Sequence, residues 1–133
     1  YYRLYQRITG KIKENRKDIC KIKSFYLDDA EQVIIAYGSE VRPALDAVEM
    51  ARNSGIKVGL LKIITVWPVA EEIITDIAKN MSKVYVVEMN IGKYSREIER
   101  LCLPYCRIEI VTKNEGIIHT KEEIYHAIKE NLS

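Results

Sequence analysis

Glu88 closes the apolar run Val84-Tyr85-Val86-Val87, and the end of a buried strand is where ligands of open α/β sheets gather. A carboxylate there could act as a general base, yet no His, Lys or second carboxylate stands at a spacing that would work with it. The expectation is instead that Glu88 accepts hydrogen bonds from loop amides or reaches a partner chain. Asn90 and Gly92 follow it and open a helix whose first amides point outward. Gly38 and Ser39, with Glu40, make a second turn of the same kind after the run Val33–Tyr37. It is not a Walker loop, because no Gly-Lys-Ser/Thr follows, and it lacks the G-x-G-x-x-G spacing of a dinucleotide fingerprint. Backbone geometry alone accounts for such a glycine. Trp67, at the same end of the sheet, is core edge or interface anchor, with the interface favoured.

His119 and His126 have no adjacent nucleophile and form no triad, so no catalytic residue is assigned. Cys20, Cys102 and Cys106 are too few and scattered for a disulfide framework. Cys102 and Cys106 lack the second pair that a metal site of this kind needs, and the histidines are not at ligand spacing. Free thiols in a reducing cytoplasm are expected, with no metal.

The elements that position these residues follow from periodicity. Strands are predicted over 33–37, 57–64, 84–88 and 107–112, with helices between them. The first core helix is expected from about Glu40 to Asn53, with Ser39 as N-cap and Gly55 ending it. The next starts at Pro68 and buries Val69, Ile73, Ile74, Ile77, Ala78 and Met81; the third turns Tyr94, Ile98, Leu101 and Cys102 inward. Thr120-Lys121-Glu122-Glu123 has the form of a capping box before a last helix burying Ile124, Ala127, Ile128 and Leu132. Strand-helix alternation of this kind predicts a three-layer α/β/α sandwich on a mostly parallel sheet.

Ahead of it, residues 1–23 read as a basic amphipathic helix, an arm or linker, with Tyr1, Tyr5, Ile8, Ile12, Asn15, Ile19 and Ile22 in one seam. Residues 24–133 form the α/β domain, with 24–27 as an edge strand. Residues 1–24 carry a net charge of +6 in a chain of +2, so the remainder carries −4. A basic arm raises nucleic acid as a partner, but no aromatic stacking platform accompanies it, and a solvated face is preferred. Apolar content of 47% with 30% charged residues excludes disorder, and no apolar run reaches the roughly 20 residues of a membrane-spanning helix. The first residue is Tyr1 rather than Met, which predicts a piece of a longer polypeptide or a processed one.

Four pieces carry a resemblance: Tyr37-Gly38-Ser39-Glu40, the segment from Gly55 to Lys62, Ile64-Thr65-Val66-Trp67-Pro68, and Val86-Val87-Glu88-Met89-Asn90-Ile91-Gly92. In this order and spacing they resemble the transketolase C-terminal-like domain. The last two pieces resemble most specifically the C-terminal part of the alpha subunit of 2-oxoacid:ferredoxin oxidoreductases of the 2-oxoglutarate or branched-chain type. The resemblance implies a five-stranded sheet with one antiparallel edge strand. It also implies an enzyme that oxidatively decarboxylates a 2-oxoacid, 2-oxoglutarate first among the candidates, to an acyl-CoA with ferredoxin as acceptor.

This chain has no Gly-Asp-Gly…Asn segment for a Mg²⁺-diphosphate and no cysteine clusters for iron–sulfur centres. Thiamine diphosphate, Mg²⁺ and iron–sulfur clusters are therefore implied in other domains or subunits, and no cofactor on this chain. The implied role is a non-catalytic, cytoplasmic domain that serves assembly with the other subunits, including the thiamine-binding beta subunit. Ferredoxin and CoA would be met only indirectly. Gly38, Ser39, Glu40, Trp67, Glu88, Asn90 and Gly92 are the candidate interface. Two other classes stay open: a free-standing module binding an anion or nucleotide at its strand-end turns, and nucleic-acid binding through the basic helix.

Overall fold

The computed structural model describes residues 21–67, 69–89, 93–112 and 117–132. The layers are set by strands whose apolar residues point both ways. In β2 (Gln32–Tyr37), Val33 and Ile35 face one side while Ile34 and Ala36 face the other, since successive side chains leave a strand on opposite faces. All four are fully buried, as expected of a parallel strand covered on both sides. Strand β4 (Lys83–Glu88) repeats the pattern, with Val84 and Val86 on the first side and Tyr85 and Val87 on the second.

Helices α1 (Val41–Asn53) and α4 (Lys121–Glu130) cover the second side with Ala44, Ala47, Val48, Ala51, Ile124 and Ile128. Helices α2 (Glu71–Ala78) and α3 (Lys93–Cys102) cover the first with Ile73, Ile74, Ile77, Ala78, Tyr94, Ile98 and Cys102. Small residues on α1 let it lie close to the sheet, and each helix shows the i, i+3, i+4 spacing that gathers its apolar side chains into one stripe.

The sheet is completed by β1 (Ile22–Phe25), β3 (Val58–Ile63) and β5 (Arg107–Thr112), in the order β1-β3-β2-β4-β5. Only β1 is antiparallel, pairing Ile22 with Ile63 and Phe25 with Leu60. The three-layer sandwich and its single antiparallel edge strand are as expected. The chain leaves β2 to the left, towards β3, and leaves β4 to the right, towards β5. The carboxyl ends of the adjacent strands β2 and β4 therefore flank the topological switch point of the sheet.

Several local expectations are corrected. Ile22 and Lys23 were expected to end a helix but lie in β1, where cross-strand pairing with β3 overrides the helical seam. Lys21 is held beside β3 as well, its amide donating to Thr65 Oγ1 and its carbonyl accepting from the amides of Ile64 and Thr65. The second core helix, expected from Pro68, begins only at Glu71, because Ala70 (ψ 64°) stands outside helical geometry; residues 1–20, the rest of the expected N-terminal helix, lie outside the described residues, as do Pro68 itself and the turn 113–116. Ser39 does not cap α1: residues Gly38–Glu40 form a 3₁₀ turn that leads straight into Val41 with no side-chain cap. Leu132 is exposed rather than buried. The capping box is present, with Thr120 Oγ1 accepting from the Glu123 amide and the Glu123 carboxylate accepting from the Thr120 amide.

The connection from β1 to β2 presses on β3 at Gly59. A Cβ at this position would stand 2.7 Å from Leu27 Cδ2 and 2.8 Å from the Tyr26 carbonyl oxygen. Tyr26 is itself left-handed (φ 59°), and its carbonyl is gripped by the Arg52 guanidinium, which also bonds the Val58 carbonyl and Asp29. The backbone at Tyr26 therefore has little freedom to retreat. Gly59→Ala should cost about 1–3 kcal/mol by overpacking. A lowered urea midpoint with an unchanged slope would show it, and an unchanged midpoint would contradict this packing.

Candidate functional site at the carboxyl edge of the sheet

Tyr37 ends β2 and Glu88 ends β4. Because the register sets Ala36 beside Val87, the next residues, Tyr37 and Glu88, come side by side. The Tyr37 hydroxyl donates to Glu88 Oε1 at 3.1 Å, across the switch point. The same carboxylate accepts the Tyr94 amide at Oε1 (3.2 Å) and the Ser95 amide at Oε2 (3.1 Å). These amides belong to the first turn of α3, where unpaired N–H groups and the helix dipole favour a negative charge. Glu88, 1% exposed, thus fills from within the place an external anion would take. Burial, and then the charge of Glu88, push the Tyr37 hydroxyl up to about 12.

Above this network lie three aromatic rings. Tyr37 and Tyr94 meet edge to face at 5.1 Å between centroids, and Trp67 meets Tyr94 nearly perpendicular at 5.9 Å. Trp67 nevertheless leaves 59% of its surface exposed, so it is anchored at one edge and open on the other. It is held in place and still available for contact.

The second strand-end turn is stopped in the same manner. Glu40, 2% exposed, turns inward from the 3₁₀ turn, and its Oε2 lies 2.9 Å from His119 Nδ1. Its other oxygen accepts the His119 amide at 3.3 Å. A carboxylate that takes both the main chain and the ring of one residue locks the segment 117–120 against the turn 38–40. The neutral tautomer consistent with this contact carries its proton on Nδ1, which leaves Nε2 as an acceptor. Nε2 is buried with no hydrogen-bond partner among the described residues.

The structure brings most of the expected site residues to one edge but divides them by depth. Gly38, Ser39 and Trp67 are exposed there; Glu40 and Glu88 are buried beneath, with their oxygens committed internally. Glu40 and Glu88, expected among the contact side chains, are buried in this chain with their oxygens bonded to its own donors. Of the two roles foreseen for Glu88, acceptance of amide hydrogen bonds is the one observed. Asn90 and Gly92 lie outside the described residues. Three exposed apolar residues not singled out from the sequence join Trp67 at this edge: Ile64, directly after β3, and Ile117 and Ile118, carried to the β2 turn by the Glu40–His119 contact. Hydropathy alone could not have found them: Ile64 continues the apolar run of β3 and looks like core, and the isolated pair Ile117-Ile118 is placed by a contact distant in sequence.

No cluster of three or more metal-ligating side chains occurs among the described residues. No described helix is long and apolar enough to cross a membrane.

Residues 30–124 match the family of pyruvate:ferredoxin oxidoreductase core domain II. A 2-oxoglutarate synthase subunit KorA of Methanothermobacter marburgensis is 36% identical over 126 residues, covering 95% of this chain and 34% of the relative. A ketoisovalerate oxidoreductase subunit VorB of Methanothermobacter thermautotrophicus is 33% identical over 125 residues, covering 94% and 34%. The chain thus spans about a third of the length of the curated relatives it matches. Among solved structures, the 2-oxoglutarate:ferredoxin oxidoreductase of Magnetococcus marinus, with 2-oxoglutarate, coenzyme A and succinyl-CoA bound, superposes with a TM-score of 0.74. Its identity is 21%, and the match covers 99% of this chain and 23% of that one. A split-gene transketolase superposes with a TM-score of 0.69 at 18% identity, over 83% of this chain and 41% of that one. At these identities the two structures show a shared fold.

Two measurements check the network. Glu88→Gln places an NH₂ against a helix amide and should cost about 2–4 kcal/mol, as when a buried charge-assisted set is broken. Wild-type stability in the variant would contradict the arrangement. Tyr85, also buried, has its hydroxyl pushed up to about 12, first by desolvation. Tyr37 and Tyr85 both ionise later in the folded chain than when unfolded, so the stability they hold is intact below about pH 10 and is lost between about pH 10 and 12. Tyr37→Phe with Tyr85→Phe should flatten the fall in melting temperature across that window; an unchanged slope would sink the assignment.

Proposed function

The chain belongs to the pyruvate:ferredoxin oxidoreductase core domain II family, and from that premise we propose that it is a non-catalytic domain of the alpha subunit of a cytoplasmic, thiamine-diphosphate-dependent 2-oxoacid:ferredoxin oxidoreductase. The enzyme would act on 2-oxoglutarate, the substrate class named for the relatives that match over most of this chain at 36% identity. In this reading the domain carries no cofactor. Thiamine diphosphate, Mg²⁺ and iron–sulfur clusters belong to other domains or subunits. The work of this domain is to dock, through the carboxyl edge of its sheet, onto the rest of the enzyme, including the thiamine-binding beta subunit.

One observation carries the docking role: both strand-end carboxylates are turned inward, while Trp67, Ile64, Ile117 and Ile118 face out. An edge that receives a diphosphate or carboxylate would keep its helix amides free. This edge fills the α3 amides with its own Glu88 and presents apolar surface instead, which favours a protein neighbour over a small anion. The free-standing anion-binding reading is weakened by the same contacts. Nucleic-acid binding rests on residues 1–24, of which 1–20 lie outside the described residues.

Trp67, partly exposed on a rigid aromatic support, has the character of an interface anchor. In the full alpha subunit, Trp67→Ala together with Ile118→Asp should weaken assembly with the beta subunit by roughly 30-fold or more, the effect of losing about 2 kcal/mol at an anchor. The melting temperature of the subunit should stay within a few degrees. Titration by analytical ultracentrifugation measures the change, and wild-type assembly would remove the docking role.

A further inference from the structure

The three rings at the carboxyl edge form a continuous line from solvent to a buried carboxylate. The Trp67 indole meets the Tyr94 ring at 5.9 Å between centroids, and Tyr94 meets Tyr37 at 5.1 Å. Both meetings are edge to face at the distances of touching π-systems, so an electron can pass along the line without crossing saturated chain. The ends of the line differ in exposure. Trp67 is open to solvent, Tyr94 is buried and Tyr37 is half-buried.

The inner end also carries a proton acceptor. The Tyr37 hydroxyl donates to Glu88 Oε1 at 3.1 Å, within the reach of about 2.6–3.2 Å over which a proton is handed between heavy atoms. In the resting chain the proton stays on the phenol, since burial and then the Glu88 charge push that hydroxyl up to about 12. Removal of an electron reverses the preference. A phenol radical cation is a strong acid, and a carboxylate already hydrogen-bonded to it takes the proton. A phenol that can shed its proton in this way is oxidised more easily than an indole, so the driving force runs inward from Trp67 to Tyr37.

We propose that Trp67, Tyr94 and Tyr37 are a one-electron relay, which moves an oxidising equivalent from the exposed indole to Tyr37. The oxidant is a small inorganic radical of the carbonate or azide class. It takes one electron from Trp67, becomes the corresponding anion, and leaves an indole radical cation. One electron then moves from Tyr37 to Trp67 across the Tyr94 ring, and the indole is restored. The Tyr37 hydroxyl proton crosses to Glu88 Oε1. The products are a neutral Tyr37 radical and a neutral Glu88 carboxyl group, and no proton is lost to solvent. The relay lies wholly within this chain and is independent of what docks on the edge.

Pulse radiolysis in azide, applied to the 133-residue chain, reads each step. Trp67 is the single tryptophan, so every indolyl radical forms there. Its absorption should decay as that of a tyrosyl radical rises, at one rate that does not change with protein concentration. The rate should fall in heavy water, because a hydroxyl proton moves with the electron. Tyr37→Phe should abolish the tyrosyl rise and leave the indolyl radical to decay only by encounters between molecules. Tyr85→Phe, at a buried tyrosine outside the line, should leave the rate unchanged. If Tyr37→Phe does not fold, a nitroso spin trap located by tandem mass spectrometry on Tyr37 of the wild-type chain decides. An unaltered rise in Tyr37→Phe, a rate that climbs with protein concentration, a radical trapped on another tyrosine, or an indolyl radical that persists in the wild type would each overturn the proposal.

Discussion

A carboxylate buried at the end of a central strand must find donors, and the way Glu88 finds them fixes the carboxyl edge of this sheet. Its two oxygens gather three donors from two directions: the Tyr37 hydroxyl from β2, and the Tyr94 and Ser95 amides from α3. A buried charge is tolerated only when paired or hydrogen-bonded in this way. The tie fixes how α3 leaves the sheet and sets the Tyr94 ring where Tyr37 and Trp67 pack against it. At the switch point that open α/β sheets commonly use for ligands, the Tyr94 and Ser95 amides are occupied by the chain's own carboxylate.

Glu40 does for the first turn what Glu88 does for the second, but with an imidazole from 79 residues away. The two contacts differ in kind. Glu88 satisfies helix amides that would otherwise seek an anion. Glu40 staples a distant segment and so carries Ile117 and Ile118 to the edge. Together they convert two turns with the form of anion cradles into the rigid floor of an apolar surface. The proposed docking role rests on this separation of buried charge from exposed apolar groups.

The sheet was legible because β2, β3 and β4 are apolar on nearly every position and the helices keep i, i+3, i+4 stripes, while β5, bounded to the residue, shows in the alternation of Ile108 and Ile110 with Arg107 and Glu109. Boundaries failed where a tertiary partner outranked local pattern. Ile22 completes a helical seam in sequence, yet its backbone pairs with Ile63. Ser39 has the chemistry of a cap, but Gly38 (φ 62°) and the tight turn after it use main-chain bonds alone. Position was legible for the site: Gly38, Ser39, Glu40, Trp67 and Glu88 do share one end of the sheet. Depth was not, because the inward turn of Glu40 depends on His119, and no local spacing announces a pair so distant in sequence. His119 looked idle for want of an adjacent nucleophile, when its neighbour in space was a carboxylate.

Amide hydrogen exchange gives the most direct test of the central claim, that this edge is a docking surface and not a ligand cradle. Exchange would be followed in the 133-residue chain alone, with millimolar phosphate, CoA or thiamine diphosphate, and within the assembled enzyme. The prediction is slowed exchange on assembly at Gly38–Ser39, Ile64–Trp67 and Ile117–Ile118, with no change from any of the three small molecules. Protection of the first turn of α3 by one of those molecules, or an edge that exchanges equally fast alone and assembled, would contradict it.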